Sequence, residues 1–289
     1  MKILYVGVFD RNRASTNTSQ LICFKKLGHN VTGYNYRQKA LQMGITQRDQ
    51  HLIKEVKNNN YDLVVFSKCN VVSTEVFMEA TNKTKTCLWF MDPLSTYNPE
   101  MREKTNLVSY LCCDKNNVLQ EAKKINKNSF QVCEGFDEDV DHPHDLSKKH
   151  DVTFIGNISR DRSNLIDQIE KNVENFNGVY GLEHSKVISE SKINLNFCTS
   201  NGASDRVYKI LAARGFLVSD DWVGREEHYQ NGKDLVIYKN TQDLNEKIDY
   251  YLENEKERQQ IASNGYHTVQ KFSRLNWAKR IVEICESLG

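Results

Sequence analysis

The feature that most constrains the fold of this chain is a series of short, almost uninterrupted apolar segments separated by helical patterns. Strands of this kind are buried on both faces, and their alternation with helices implies a parallel sheet with right-handed crossovers. The segments that we interpret as strands are KILYVGVF near the start, HNVTGYNY, Tyr61–Ser67, Lys85–Met91, Leu107–Cys113, Ser129–Cys133, Asp151–Asn157, Asn177–Tyr180, Ile193–Phe197, Phe216–Ser219 and Leu235–Tyr238.

The strand pattern is interrupted between residues 134 and 150, which contain a glycine, a proline and many acidic residues but few apolar ones. Such a segment is typical of a linker. We therefore predict an α/β chain with Rossmann-like domains at 1–135 and 151–270, joined by a linker at 136–150. Predicted helices include one at 161–174 and three at the end of the chain, over 241–253, 255–270 and 273–288.

Composition excludes several classes of protein. Apolar residues make up 39% of the chain, enough for real cores, and no segment approaches the roughly 20 apolar residues that span a bilayer. The N-terminus lacks the pattern of a signal peptide, so we expect a cytoplasmic protein. The eight cysteines include no Cys-x-x-Cys pair, so neither a zinc site nor a redox motif is indicated, and we expect no metal.

The two halves of the chain differ in charge. Residues 1–135 carry 19 Lys and Arg against 12 Asp and Glu, whereas residues 136–289 carry 20 against 26. A basic half favours an anionic partner, because summed charge steers association. The alternative is that the excess is scattered over solvated helix faces.

Three segments of the chain follow predicted strands, at the edge where parallel sheets bind ligands. The first contains Asp10, Arg11 and Arg13 but no dinucleotide fingerprint, and it is equally explained as a solvated loop. In the second, Gly156 would let a diphosphate approach the backbone, and the helix near Asp161 would offer N–H groups to it. Asp92 lies outside these three segments. It follows the predicted strand KTCLWFM and is placed where a catalytic carboxylate could face a ligand.

The third segment, SNGASDRVYKILAARG, leads from small polar residues into a helix. Arg206 lies in the first turn of this helix, where a cation opposes the helix dipole. Its position indicates either a bound anion or a surface salt bridge. In the linker, Asp137-Glu138-Asp139 matches a metal-binding Asp-x-Asp, but the context favours chance.

The second half of the chain resembles the glycosyltransferase-1-like domain of the spore-maturation CgeB family, a branch of the GT-B glycosyltransferases. The segment CEGFDEDVDHP also resembles the hinge that joins the two halves of many GT-B enzymes. The matching segments are DVTFIGN at 151–157, VYG at 179–181, KINLNF at 192–197, DRVYKILAARGFLVSD at 205–220, HYQNGKDLVIY at 228–238 and ERQQIASNGYHTV at 257–269.

This resemblance implies two Rossmann-like domains whose parallel sheets face a central cleft, with a C-terminal helix at 271–289 that crosses back to the first domain. It also implies a nucleotide-sugar, with UDP favoured, held mainly by the second half. Within that implied site, Arg206 would stabilise the leaving diphosphate. The donor-binding residues that we predict are Gly156, Asn157, Arg160, Ser204, Arg206, Tyr208, Lys209, Glu226 and Glu227.

Lys209 departs from the family, which usually has a ribose-binding glutamate at this position. Ribose recognition is then expected to move to Glu226 or Glu227. Asp92 is the candidate for the base that an inverting enzyme requires, whereas a retaining enzyme does not need it. The acceptor-binding residues that we predict in the first half are Asp10, Arg11, Arg13 and Lys68.

The acceptor is left open by the sequence. A basic first half suits DNA with hydroxymethylated bases, such as viral GT-B enzymes modify, and binding would then weaken steeply with salt. A cell-envelope or protein-linked glycan is the alternative acceptor. A nucleotide-sugar-binding module without catalysis is a further alternative, for which Lys209 is the only indication. The sequence does not decide between a monomer and a dimer.

Overall fold

The computed structural model describes residues 1–10, 15–198 and 203–288. The chain divides into two compact units, unit 1 with residues 1–134 and 274–289, and unit 2 with residues 135–273. The described strands are β1 (Lys2–Gly7), β2 (Asn30–Asn35), β3 (Leu63–Ser67), β4 (Lys85–Phe90), β5 (Tyr110–Cys113), β6 (Ser129–Gln131), β7 (His150–Ile155), β8 (Val173–Phe176), β9 (Ser191–Asn196), β10 (Leu217–Ser219) and β11 (Val236–Ile237). The described α-helices are α1 (Thr16–Lys26), α2 (Tyr36–Met43), α3 (Ile45–Asn58), α4 (Thr74–Lys83), α5 (Pro99–Leu107), α6 (Asn116–Lys123), α7 (Arg160–Ile166), α8 (Leu182–Glu190), α9 (Asp205–Ala212), α10 (Thr241–Glu253), α11 (Glu255–Val269) and α12 (Arg274–Ser287).

The sheet of unit 1 is parallel, with the strand order β2-β1-β3-β4-β5-β6. Its central strands are buried on both faces, because Val64 and Phe66 of β3 belong to one hydrophobic core and Leu63 and Val65 to the other. Successive side chains of a strand point to opposite faces, so a strand between two cores must be apolar throughout. This explains the uninterrupted apolar segments in the sequence.

The C-terminal helix α12 packs in unit 1 against α1 and one face of this sheet. Its Trp277 is 2% exposed, and the centroid of its ring lies 5.3 Å from that of Phe24 and 5.4 Å from that of Trp89. Both ring pairs are edge-to-face, the arrangement that aromatic quadrupoles favour. The final helix thus completes the core of the first unit.

The sheet of unit 2 is also parallel, with the order β11-β10-β9-β7-β8. Counted from its own first strand, this is the order 2-1-3-4-5, the same as that of the first five strands of unit 1. The predicted fold class, an α/β chain with two parallel sheets, is confirmed. The three predicted C-terminal helices are present as α10, α11 and α12.

The second strand of unit 2 was predicted at the wrong place. The prediction of a strand at Asn177–Tyr180 is wrong, because the strand β8 ends at Phe176 and two glycines with positive φ, Gly178 and Gly181, follow it. The predicted helix 161–174 ends at Ile166, and its last part contributes to β8. Since β8 is a half-exposed edge strand, its sequence VENF carries no apolar signal.

Candidate active site

The carboxyl ends of β7 and β9 form the switch point of the sheet in unit 2. The connection after β7 leads to β8 on one side, and the connection after β9 leads to β10 on the other side. Where two connections diverge in this way, a crevice opens beyond the strand ends, and α/β proteins bind ligands there. Gly156 follows β7 directly, and α9 begins shortly after β9.

Arg206 joins the two sides of this switch point. Its Nε donates to the Ile155 carbonyl at the end of β7 (2.7 Å), and its Nη1 donates to Asn196 Oδ1 at the end of β9 (2.8 Å). The guanidinium also stacks on the ring of Phe154, 4.6 Å from its centroid. Burial lowers the pKa of Arg206, and Arg162 lowers it further, although a guanidinium remains protonated in proteins. The result is a fixed, partly desolvated positive charge.

Gly156 makes room for this guanidinium. A Cβ atom at Gly156 would lie 2.6 Å from Arg206 Nη2, and the backbone there has a φ of +146°, which side chains rarely adopt. The glycine predicted to admit a diphosphate therefore has a second role, since it admits the arginine itself.

Asn196 organises the crevice, and sequence reasoning missed it. It is fully buried, and its Oδ1 accepts hydrogen bonds from Arg206 and from Ser204 Oγ (2.8 Å). Its Nδ2 donates to Ser219 Oγ (2.9 Å) and to Cys198 Sγ (3.0 Å). The sequence did contain a signal for this residue, since the apolar strand INLNF carries asparagines at two buried positions. Buried amides require hydrogen-bond partners, so such asparagines indicate a polar network.

Two further titratable residues that the sequence did not reveal lie near this network. His184, in the first turn of α8, is 7% exposed, and burial together with Lys209 lowers its pKa to about 3. It is therefore neutral at physiological pH. The pKa of Asp220, after β10, is raised by burial, although its Oδ1 accepts a hydrogen bond from the Cys198 N–H (2.7 Å).

The other predicted donor residues have different surroundings. Asn157 and Arg160 are exposed, and the Asn157 carbonyl accepts from Arg162 Nη1 (2.9 Å). Tyr208 is only 3% exposed. Lys209 forms an ion pair with Asp205 (2.6 Å), one turn earlier on α9. Glu226 and Glu227 are exposed on a short 3-10 helix.

A polar cavity of about 320 Å³ lies at the carboxyl edge of the sheet in unit 1. It is placed at the switch point of that sheet, where the connections after β1 and β3 diverge. We call it the inner pocket. The polar side chains that line it include Ser15, Asn17, Ser67, Lys68, Asp92 and Glu134.

Asp92 and Lys68 form an ion pair in the inner pocket, with 2.5 Å between Lys68 Nζ and Asp92 Oδ2. Asp92 follows β4, and Lys68 follows the neighbouring strand β3. Parallel pairing therefore brings the two residues together. The carboxylate oxygens of Asp92 are hydrogen-bond acceptors, placed in the inner pocket where a bound hydroxyl group could donate to them.

The backbone that carries Lys68 is strained. Lys68 and Cys69 have φ values of 64° and 52°, a left-handed conformation that costs residues other than glycine about 1–3 kcal/mol each. The fully buried Lys104 holds this loop by donating from Nζ to the Cys69 and Asn70 carbonyls (3.1 and 3.2 Å). Arg48 Nη2 donates to the Val71 carbonyl (2.6 Å). Strain that the surroundings enforce is typical of functional sites.

Of the other predicted acceptor residues, the structure describes Asp10. Its Oδ2 accepts a hydrogen bond from the Ser15 N–H (2.5 Å). Arg11 and Arg13 lie outside the described residues.

The described residues contain no group of three or more His, Cys, Asp or Glu side chains placed to hold a metal ion. In the predicted Asp-x-Asp segment, Asp137 Oδ1 accepts from the Asp139 N–H (3.1 Å), which makes it a local turn. Across residues 1–10, 15–198 and 203–288, no helix has the length and apolarity to cross a membrane.

Two parallel sheets of the same strand order, each in its own compact unit, match the architecture of GT-B glycosyltransferases. The chain belongs to the glycosyl transferase-like family, whose model matches residues 142–286. It is a glycosyltransferase. A search of the curated proteins found no significant match.

Solved structures share the fold over 83% to 99% of the chain. Anabaena HepE, solved in complex with UDP and glucose, has a TM-score of 0.73 at 14% identity, covering 99% of this chain and 100% of that one. A glycosyltransferase from Rickettsia africae has a TM-score of 0.68 at 16% identity, with coverages of 99% and 98%. The pneumococcal O-GlcNAc transferase GtfA, in complex with UDP and GlcNAc, has a TM-score of 0.63 at 12% identity, with coverages of 83% and 60%. At these identities the likeness shows the fold.

Proposed function

We propose that this glycosyltransferase moves a sugar from a UDP-sugar to a hydroxyl group of a glycan. The observation that carries this proposal is Arg206, a fixed guanidinium that spans the switch point of unit 2. Uridine is chosen because HepE and GtfA were both solved with UDP. The predicted division of the chain is part of the proposal, with the acceptor at 1–135 and the donor at 151–270.

The proposed chemistry follows from charge. Cleavage of the bond between sugar and phosphate leaves negative charge on the diphosphate, and Arg206 with the first N–H groups of α9 would stabilise it. In an inverting reaction Asp92 would take the proton of the attacking hydroxyl. Lys209 is paired with Asp205 and offers no acceptor to the ribose, so Glu226 or Glu227 keeps that role in the proposal.

A glycan is preferred to DNA as the acceptor. Clustering of Arg11, Arg13, Lys68 and their neighbours along one rim would favour DNA, whereas scattered charges would favour the glycan. Of these three residues the structure describes Lys68, whose charge is paired with that of Asp92. The inner pocket combines hydroxyl, amide and carboxylate groups, which are the usual partners of sugar hydroxyls.

Release of nucleotide from a panel of donors tests the proposal. The purified protein is incubated with UDP-, GDP-, ADP- and TDP-sugars, with and without hydroxymethylated DNA, and the free nucleotide is measured. We expect release from a UDP-sugar that does not depend on DNA. Release that requires DNA and falls steeply with salt would replace the glycan by DNA. No release with any donor or acceptor would contradict the proposal.

Replacing Gly156 with alanine is expected to raise the dissociation constant for UDP about 10-fold. The new methyl group would displace the Arg206 guanidinium, and a hydrogen bond to a charged group contributes about 1.5–3 kcal/mol. Gly232→Ala is the matched control, because Gly232 also has a positive φ but has no atom within 4 Å of the added Cβ. Isothermal titration calorimetry measures both. Equal effects would assign the loss to backbone strain rather than to Arg206.

A further inference from the structure

The inner pocket of unit 1 continues into a second cavity of about 600 Å³, which we call the outer groove. Val8 and Arg37 line both cavities, so the two adjoin. The outer groove runs beside the edge strand β2 and the helix α2. Its lining includes Phe9, Asp10, Gly33, Gln38 and Leu41. Together, the inner pocket and the outer groove enclose a far larger volume than the inner pocket alone.

The chemistry of the lining changes along this path. The inner end carries Asp92, Lys68 and hydroxyl groups, whereas Val8, Phe9 and Leu41 provide apolar surface at the outer end. Leu41 is 89% exposed, more than any other large hydrophobic residue among the described ones. A single exposed leucine is ordinary in proteins, but this one lines a groove that leads to a polar pocket. The lining is therefore largely polar in the inner pocket and mixed in the outer groove, where Asp10, Asn35 and Gln38 lie beside the apolar residues.

Arg37 stands where the two cavities meet. It is exposed in the first turn of α2, and it forms no ion pair with a carboxylate among the described residues. Its guanidinium lies over the ring of the neighbouring Tyr36, 6.0 Å from the ring centroid. A cation in the first turn opposes the helix dipole, so this position favours the approach of an anion. The carboxylate of Asp10, which also lines the outer groove, accepts a hydrogen bond from the Ser15 N–H. The junction therefore offers a guanidinium fork to a phosphate.

We propose that the acceptor is a sugar joined through a phosphate to an apolar chain. In this assignment the sugar occupies the inner pocket, Arg37 binds the phosphate, and the apolar chain lies along Leu41 and Phe9. This proposal takes one element from the function proposed above, namely that unit 1 binds the acceptor. Binding to the groove is a property of unit 1 that is measured without the donor.

The test measures the binding of decyl phosphate to the full chain, below its micelle concentration, by calorimetry or NMR. Arg37→Gln is expected to raise the dissociation constant at least 10-fold, since it removes a charge-assisted hydrogen bond. Leu41→Ser is expected to raise it about 5-fold through lost apolar contact. The matched controls are Lys39→Gln and Ile45→Ser, a cation and an exposed aliphatic residue nearby that do not line the groove. They are expected to change binding less than 2-fold.

Decyl glucoside, which has the same apolar chain but no phosphate, separates the contribution of Arg37 from that of the apolar surface. Decyl glucoside is expected to bind more weakly than decyl phosphate and to be insensitive to Arg37→Gln. Equal loss in the control variants would show non-specific adsorption and overturn the proposal. Equal binding of decyl glucoside and decyl phosphate would also overturn the proposal, and so would the absence of binding by either compound. Because UDP is titrated separately, failure of UDP to bind would overturn the donor assignment and leave this one standing.

Discussion

Replacing Arg206 with alanine is expected to lower the turnover number at least 100-fold. The guanidinium is held between the ends of β7 and β9 by the Ile155 carbonyl and Asn196, so it requires no rearrangement when charge develops on a leaving diphosphate. Removing one preorganised donor of this kind typically costs about 100- to 1000-fold in turnover number. The measurement is the rate of UDP release at saturating donor, for the donor that the panel identifies.

Two further variants make the Arg206 prediction specific. Arg214→Ala removes an exposed arginine that follows the other end of α9 and donates to Ser263 Oγ, and it is expected to leave the rate unchanged. Arg206→Lys keeps the charge but cannot replace the guanidinium fork, so an intermediate rate is expected. Thermal unfolding checks that each variant folds. A folded Arg206→Ala protein with a rate within 3-fold of the parent would contradict the assignment.

The sheets were predictable because burial on both faces requires apolar residues at every position. The alternate cores around Val64 and Val65 show this requirement directly. The strand β8 was missed for the converse reason, since an edge strand with exposed positions has no such requirement. Sequence periodicity therefore reports how deeply a strand is buried, and it fails where the sheet meets solvent.

The candidate sites were predictable only in part. Arg206 was identified from a local conflict, a cation in the first turn of a helix, whereas its partners Ile155 and Asn196 lie 51 and 10 residues away in the chain. Lys68 was predicted to contact the acceptor, and no local pattern indicated its ion pair with Asp92. That pair depends on which strands are neighbours and on a left-handed loop fixed by the distant Lys104.

The exchange of Asp92 for asparagine is expected to lower the turnover number about 100- to 10,000-fold, the usual contribution of a general base. The asparagine keeps the size of the side chain but cannot take a proton from an acceptor hydroxyl. Since Asp92 belongs to unit 1 and the proposed UDP site to unit 2, the dissociation constant for UDP is expected to change less than 2-fold. Parallel measurements of turnover and of UDP binding therefore separate loss of the base from general damage.

The matched control for Asp92 is Glu79→Gln, which breaks another ion pair of unit 1, that between Lys57 Nζ and Glu79 Oε2 at 2.6 Å. Exposed pairs contribute about 0–1 kcal/mol, so this variant is expected to keep full activity and nearly full stability. The configuration of the product, read by NMR from the anomeric proton, completes the test. Because a base is required when the configuration inverts, an essential role of Asp92 as the base predicts inversion in the parent enzyme. Retention, together with an active Asp92→Asn protein, would remove Asp92 from the chemistry and leave its pairing with Lys68 as a structural feature of the inner pocket.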